Sequence, residues 1–152
     1  MKGYYASGRL GMLIDGTGKD FKKLSEKRQA LVDLGYDTYM IFVDTSLERS
    51  QEQNAKRERK LDPEEVEKMW QQVQDNKENY QELFGVKNFT IVVNNEPVPP
   101  TKEATRAVQE FAQAPVQNPL GQSWMATQLA AKDTSGDAPA EEPAAEEPAE
   151  EE

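Results

Sequence analysis

The sequence predicts an α/β domain with a mostly parallel sheet. Between residues 10 and 112, three short apolar runs alternate with segments in which apolar residues recur every three or four positions. Short apolar runs that end at polar residues are typical of buried strands, and the longer period is typical of amphipathic helices. The length of 152 residues fits one such domain.

The first predicted unit is a strand followed by a helix. The apolar run at residues 10–14 ends at Asp15 and Gly16, as a buried strand that leads into a loop would. Apolar residues then follow at helical spacing over residues 21–31, and Gly35 suits the position just after a helix C-terminus.

The second predicted unit has a strand and two helices. A strand at residues 39–43 ends at Asp44, and Thr45 or Ser46 can cap the helix that follows. Residues 47–60 are so polar that we expect an exposed and mobile helix there. A second helix begins at Asp62-Pro63-Glu64-Glu65, with an N-cap, a first-turn proline and acidic residues, and its apolar stripe continues to Phe84. The members of that stripe are Val66, Met69, Trp70, Val73, Lys77, Tyr80 and Phe84.

The third predicted unit is a strand at residues 89–93, which ends at Asn94 and Asn95. The prolines of residues 97–100 exclude a helix interior, and Thr101 is predicted to cap a helix that continues through Phe111.

The predicted α/β domain spans residues 1–114, and two further segments follow it. Residues 115–131 are predicted to be a short docking or interaction segment, either a helix packed on the body or an exposed segment that binds a partner. Residues 132–152 form a Pro/Ala/Glu tail that carries nine acidic residues and no basic one from Asp133 to the end, and we expect it to be disordered. The tail is either a solubilising or spacing appendage or a contact for a basic partner.

Composition restricts the chemistry and the partners. The absence of Cys and His excludes disulfides, thiol nucleophiles, zinc sites built from these residues and histidine bases. Carboxylates, Lys, Arg, hydroxyls and a hard cation such as Mg²⁺ remain available.

No apolar run approaches the ~18 residues of a membrane span, and no signal peptide is evident, so we expect a soluble, cytoplasmic protein without a membrane partner. The net charge of −10 lies almost wholly in the tail, and the nearly neutral body lacks the basic footprint of a nucleic-acid-binding protein.

Polar residues follow all three predicted strands, namely Asp15, Asp44 and Asn94. Ligands of open α/β sheets bind at the carboxyl ends of the strands, so this coincidence favours a site there. The alternative is that these residues merely end buried strands.

The stretch Gly16-Thr17-Gly18-Lys19 is not a Walker A loop, because that loop needs Gly-x-x-x-x-Gly-Lys-Ser/Thr and no such motif occurs in the chain.

Basic residues are concentrated just before the helix that begins near Pro63. From residue 49 to residue 59 they are Arg49, Lys56, Arg57 and Arg59. Arginines on a mobile polar segment are what a lid that closes over phosphates requires, because a guanidinium group can bind two phosphate oxygens. The alternative is a solvated face on which Glu48, Glu52 and Glu58 balance the bases.

Three segments carry a resemblance to a known family. They are Leu13-Ile14-Asp15-Gly16-Thr17-Gly18-Lys19, Leu34-Gly35-Tyr36-Asp37-Thr38-Tyr39-Met40 and Arg57-Glu58-Arg59-Lys60-Leu61-Asp62-Pro63. In order and spacing, the chain resembles zeta-toxin-type P-loop kinases over about residues 8 to 112. The resemblance implies a P-loop-kinase-like partial parallel sheet flanked by helices.

The resemblance also implies a set of site residues. Asp15 would be a catalytic strand-end acid near the substrate and the metal, and Thr17 and Lys19 would face the substrate or its phosphate. Arg57 and Arg59 would be the catalytic lid arginines, with Arg59 the preferred phosphate contact. Asn94 and Asn95 would lie in a loop near the nucleotide base.

The resemblance covers only the C-terminal half of such a kinase. The family's first strand, its Walker A loop with the phosphate-binding Lys, and its second strand with the proposed base are absent. ATP and Mg²⁺ are therefore expected only if a Walker A half is supplied, and the expected partners are that complementary half in trans and a small-molecule acceptor. Because the missing first strand would lie between the strands that end at Asp15 and Asp44, this chain would either re-pair its strands or expose unpaired edges.

Three origins remain open: a split kinase, the product of an internal start or truncated gene, or a remnant kept for binding or structure. We expect an ATP-dependent kinase that phosphorylates a small hydroxyl-bearing acceptor when complete and is inactive as this chain alone. The alternative is a non-catalytic α/β interaction or structural module with an acidic tail.

Overall fold

The computed structural model describes residues 2–135 and forms an α/β fold. Within these residues there are six α-helices and two strands, so the predicted α/β class is confirmed. The helices are α1 Lys2–Ser7, α2 Phe21–Asp33, α3 Leu47–Ala55, α4 Pro63–Phe84, α5 Thr101–Gln113 and α6 Pro119–Ser135. The strands are β1 Met40–Asp44 and β2 Phe89–Val93, and a 3₁₀ turn at Val86–Asn88 precedes β2. The sequence predicts a disordered tail at residues 132–152. From residue 136 onward this tail lies outside the described residues.

The sheet consists of β1 and β2, which pair in parallel from Met40 opposite Phe89 to Asp44 opposite Val93. The two helices α3 and α4 connect them, as a parallel pair requires. Side chains alternate along a strand, so Phe42 and Asp44 lie on the same face of β1. Within residues 2–135 each strand has one edge that no other strand pairs.

The core lies between this face of the sheet and helices α2 and α4. Phe42, Tyr80, Phe84 and Phe89 form a buried cluster, and Tyr80 is fully buried. Phe21 of α2 packs on Tyr80 with ring centroids 5.4 Å apart. These contacts pack helix α4 on the face of β1 to which Phe42 and Asp44 belong.

Several local predictions are confirmed. Ser46 caps α3, because its Oγ accepts a hydrogen bond from the Arg49 N–H at 3.2 Å. Helix α4 starts with Pro63 in its first turn, and Gly35 follows α2 with a φ of +100°, a region that favours glycine. Two bounds differ: α3 ends at Ala55 instead of continuing to residue 60, and Thr101 is the first residue of α5 rather than its cap.

The predicted strand at residues 10–14 is wrong. This segment has no regular secondary structure, and Leu13 is 86% exposed. The Tyr36 hydroxyl donates to the Leu10 carbonyl at 3.0 Å and holds one end of the segment. An apolar run becomes a strand only when a neighbouring strand satisfies its N–H and C=O groups, and no strand lies beside this one in the described residues.

Helix α6 lies in the segment for which the sequence left two alternatives open, and the proposed role of residues 115–131 as a docking or interaction segment stays a prediction. The segment before it docks on the body, because the Asp37 carboxylate accepts from the N–H groups of Gln117 at 2.7 Å and Asn118 at 3.0 Å. Beyond that point Leu129 is 61% exposed, and the helix continues to Ser135, past the predicted boundary at residue 131. A search of the described helices finds none with the length and apolar character of a bilayer span.

Candidate functional site

Helix α4 holds the carboxyl end of β1 through two polar side chains. The Asp44 carboxylate accepts from Lys77 Nζ at 2.6 Å and from Gln74 Nε2 at 2.9 Å. These three residues are called the strand-end cluster below. The side chains of Lys77 and Asp44 are 29% and 25% exposed, so water reaches the ion pair only in part.

The environment of Asp44 lowers its pKa below the ordinary value. Burial alone would raise the pKa of this carboxyl, but the hydrogen bonds from Lys77 and Gln74, together with the charge of Lys77, outweigh burial. Asp44 is therefore an anion at neutral pH, with a cation fixed beside it.

The loop after β2 adjoins this cluster. The Asn94 N–H donates to the Asp44 carbonyl at 2.8 Å, and Asn95 Oδ1 accepts from the Ser46 N–H at 2.7 Å. The Arg49 guanidinium pairs with Glu52 at 2.9 Å and also reaches the Glu96 carbonyl at 3.4 Å. Asn94 and Asn95, assigned to the nucleotide-base loop by resemblance, thus lie beside the end of β1.

Helix α4 also holds the loop that carries Asp15, Thr17 and Lys19. The Tyr80 hydroxyl donates to the Gly18 carbonyl at 2.7 Å, and Asn76 Nδ2 reaches the carbonyls of Gly18 and Lys19 at 3.2 and 3.1 Å. Burial, followed by the nearby charge of Asp20, raises the pKa of the Tyr80 hydroxyl, so this donor keeps its proton.

The backbone of this loop is fixed, whereas its predicted site side chains project away from the protein. Asp15, Thr17 and Lys19 are exposed, and none of the three side chains makes a hydrogen bond or ion pair with another described residue.

Residues 56–60 between α3 and α4, called the arginine loop below, contain Arg57 and Arg59. Asn54 is buried and closes the loop, because its Nδ2 donates to the Leu61 carbonyl at 2.7 Å and its Oδ1 accepts from the Leu61 N–H at 2.9 Å. Both arginines are exposed and have no side-chain partner within residues 2–135. The loop thus has a fixed base and free guanidinium groups.

The structure brings some of the predicted site residues together and leaves others apart. Helix α4 contacts the loop of residues 15–20 and the end of β1 with neighbouring side chains, Asn76 and Lys77. No contact joins the side chain of Asp15 to Arg57 or Arg59. The described residues also contain no group of three or more acidic side chains arranged to hold a metal ion.

Sequence reasoning did not assign Lys77 and Tyr80 to the site, although both stand on the apolar stripe of α4. A lysine on a buried stripe needs an anion nearby, and a buried tyrosine hydroxyl needs an acceptor. These rules would have singled out both residues, but the sequence does not say that Asp44 and Gly18 are their partners.

No protein-family model, curated protein or solved structure gives a significant match to this chain.

Proposed function

We propose that this chain is the acceptor-and-lid part of an ATP-dependent phosphotransferase of the zeta-toxin type. Phosphoryl transfer would require a second polypeptide segment that supplies the phosphate-binding loop. The observation that carries the proposal is the arginine loop: Asn54 fixes its base, Arg57 and Arg59 are unpaired, and it leads directly into the helix that organises the strand-end cluster. Unpaired guanidinium groups on a fixed loop suit the stabilisation of charge on a transferring phosphoryl group.

In this proposal Arg59 contacts the transferring phosphate and Arg57 assists it. Asp15 accepts a hydrogen bond from the acceptor hydroxyl near the metal, and Thr17 and Lys19 bind the acceptor or its phosphate. Their loop suits this role because Tyr80 and Asn76 hold its backbone while its side chains remain accessible. Asn94 and Asn95 would border the nucleotide base.

ATP and Mg²⁺ would bind mainly to the completing segment, because the chain has no Walker A motif and its described residues show no acidic metal cluster. The second segment would join the sheet. The unpaired edge of β1 and the exposed apolar run at residues 10–14 support this part of the proposal, since both are features that a neighbouring strand would cover.

The test is a chimera that joins the Walker A half of a zeta-toxin-type kinase to the amino end of this full chain. We expect the chimera to release phosphate from Mg-ATP, with water as the acceptor, and Arg59→Ala or Asp15→Ala to abolish release without unfolding the protein. Arg106→Ala is the charge-matched control, because Arg106 lies on α5 in an exposed pair with Glu110. A folded chimera that binds Mg-ATP but has the same activity with and without Arg59 and Asp15 would refute the site assignment.

A non-catalytic interaction module is the second candidate. The exposed apolar residues of α6 favour it: Leu120, Met125 and Leu129 are 57%, 44% and 61% exposed. This candidate predicts that Mg-ATP leaves the thermal midpoint of the chain unchanged and that phosphate release by the chimera does not depend on Arg59 or Asp15. The kinase proposal predicts that Arg59→Ala and Asp15→Ala abolish release. A higher midpoint of the chimera with Mg-ATP would report only binding to the Walker A half, because a ligand that binds the folded state stabilises it.

A further inference from the structure

A polar pocket of about 300 Å³ lies at the opposite end of the sheet from the strand-end cluster. Thr38 and Asn88 line it, and these residues precede β1 and β2, so the pocket is at the amino ends of the strands. The other polar residues of the lining are Arg28 of α2, Tyr36, Asp37, Gln117 and Asn118. The volume is at the lower end of the range that holds small ligands in proteins.

Arg28 is held in this pocket without an anionic partner. Its guanidinium carbon lies 5.3 Å from the centre of the Phe84 ring, and Phe84 belongs to the buried core. Its Nε atom is buried and has no hydrogen-bond partner in the described residues. Contact with the ring fixes the guanidinium group and leaves its N–H groups free to bind a ligand.

The other unused polar groups in the pocket can also donate hydrogen bonds. Thr38 Oγ1 is buried without a partner, and the Asn88 side chain makes no hydrogen bond to any described residue. Arg9 and Arg49 each have a buried Nε atom without a partner elsewhere, and two of the four such atoms in the described residues, Arg28 Nε and Thr38 Oγ1, belong to residues that line this one pocket.

The acidic and amide groups on the other side are already satisfied. Asp37 accepts from two backbone N–H groups, and Asn118 Nδ2 donates to the carbonyls of Val32 at 2.9 Å and Tyr36 at 3.1 Å. Of the groups without partners, Arg28 can only donate, and Thr38 Oγ1 and Asn88 Nδ2 can donate as well, so the pocket suits a ligand with acceptor atoms.

We propose that this pocket binds a small molecule through its carboxylate group, which pairs with Arg28 and accepts from Thr38. A planar carboxylate matches the two parallel N–H bonds of a guanidinium group. Asp37 lies in the same pocket, so one positive and one negative side chain face the ligand. A phosphate dianion would bring its second negative charge toward Asp37, and a single carboxylate would not. The site is separate from the proposed phosphotransferase site and does not depend on it.

The test is an NMR titration of the full chain with sodium acetate, with sodium chloride at matched ionic strength as the reference. We expect saturable shifts of the Arg28 Nε–H and Thr38 amide resonances, with millimolar affinity and weaker binding of inorganic phosphate. Arg28→Gln should abolish saturation, Arg28→Lys should weaken binding several-fold because the forked contact is lost, and Arg106→Gln should leave it unchanged. Each variant is checked for the native spectrum first.

Thr38→Val provides a second variant that keeps the guanidinium group, and it should weaken acetate binding several-fold. Shifts that do not saturate would mean that acetate does not bind the pocket. Saturable shifts that persist in Arg28→Gln would mean that acetate binds without Arg28. Either result would overturn the proposal. Tighter binding of phosphate than of acetate would overturn its assignment to carboxylates.

Discussion

The ion pair between Lys77 and Asp44 should make the free energy of unfolding depend on pH, and the substitution Lys77→Met tests this. Lys77→Met removes the cation and keeps an unbranched apolar stem of similar length. Asp44 then remains partly buried with Gln74 as its side-chain donor, and its pKa rises because the hydrogen bond and the charge of Lys77 are lost. The free energy of unfolding at neutral pH should therefore fall.

The magnitude follows from the exposure of the pair. Exposed ion pairs contribute about 0–1 kcal/mol, and breaking a fully buried pair costs about 3–5 kcal/mol. With the side chains 29% and 25% exposed, the pair lies between these limits. Allowing for partial screening by solvent, we expect a loss of about 1–2 kcal/mol. Lys77 Nζ also lies 5.7 Å from the centre of the Phe42 ring. Loss of this contact should contribute a smaller part of the destabilisation, and that part does not depend on the titration of Asp44.

The sign of the pH dependence is fixed by the lowered pKa of Asp44. A carboxyl with a lower pKa in the folded state stabilises the fold above its unfolded pKa of ~3.9, and this contribution is lost as the pH falls through the folded pKa. Urea unfolding of the full chain at pH ~7 and pH ~3 measures the effect, and the difference between wild type and Lys77→Met should shrink at the lower pH. Lys68→Met, at an exposed lysine of the same helix, is the matched control. An equal loss at both pH values would refute the assignment of Lys77 to a charged pair.

Two further substitutions test the packing around the sites. Asn54→Ala removes both hydrogen bonds to residue 61, so urea unfolding should show a loss of about 2 kcal/mol and amide exchange should accelerate in residues 56–60. Asn79→Ala, at an exposed position of α4, is the control. Unchanged amide exchange in the arginine loop would contradict the conclusion that Asn54 closes the loop. Gly121→Ala would place a Cβ atom against the carbonyl oxygen of Gly35, which should cost about 1–3 kcal/mol in thermal or urea unfolding. Gly11→Ala meets open space and should be nearly neutral, and equal stability of the two variants would disprove the close approach of α6 to the end of α2.

Local sequence rules predicted the elements whose determinants are local. Ser46, Pro63 and Gly35 mark helix boundaries because a cap, a fixed φ and a left-handed backbone act within a few residues. The strand-end coincidence seen in the sequence has a similar basis, since Asp44 ends β1, Asn94 follows β2, and the carboxyl ends of parallel strands meet at one end of the sheet. The catalytic and binding roles of the predicted site residues stay predictions. The partners on α4 could not be assigned, because they depend on how that helix crosses the sheet.

The proposed completing segment would account for two unpaired features of the chain. The apolar run at residues 10–14 has the composition of a strand but is exposed, and β1 has one open edge in the described residues. Parallel sheets are normally covered on both faces and extend over several strands, so a sheet of two strands with five residues each is small. A strand that paired with β1 and with residues 10–14 would satisfy both at once. The chimera tests this, because amide exchange in residues 10–14 should slow when the Walker A half is joined and a strand pairs with them. Unchanged exchange there would show that residues 10–14 do not pair with a strand of that half.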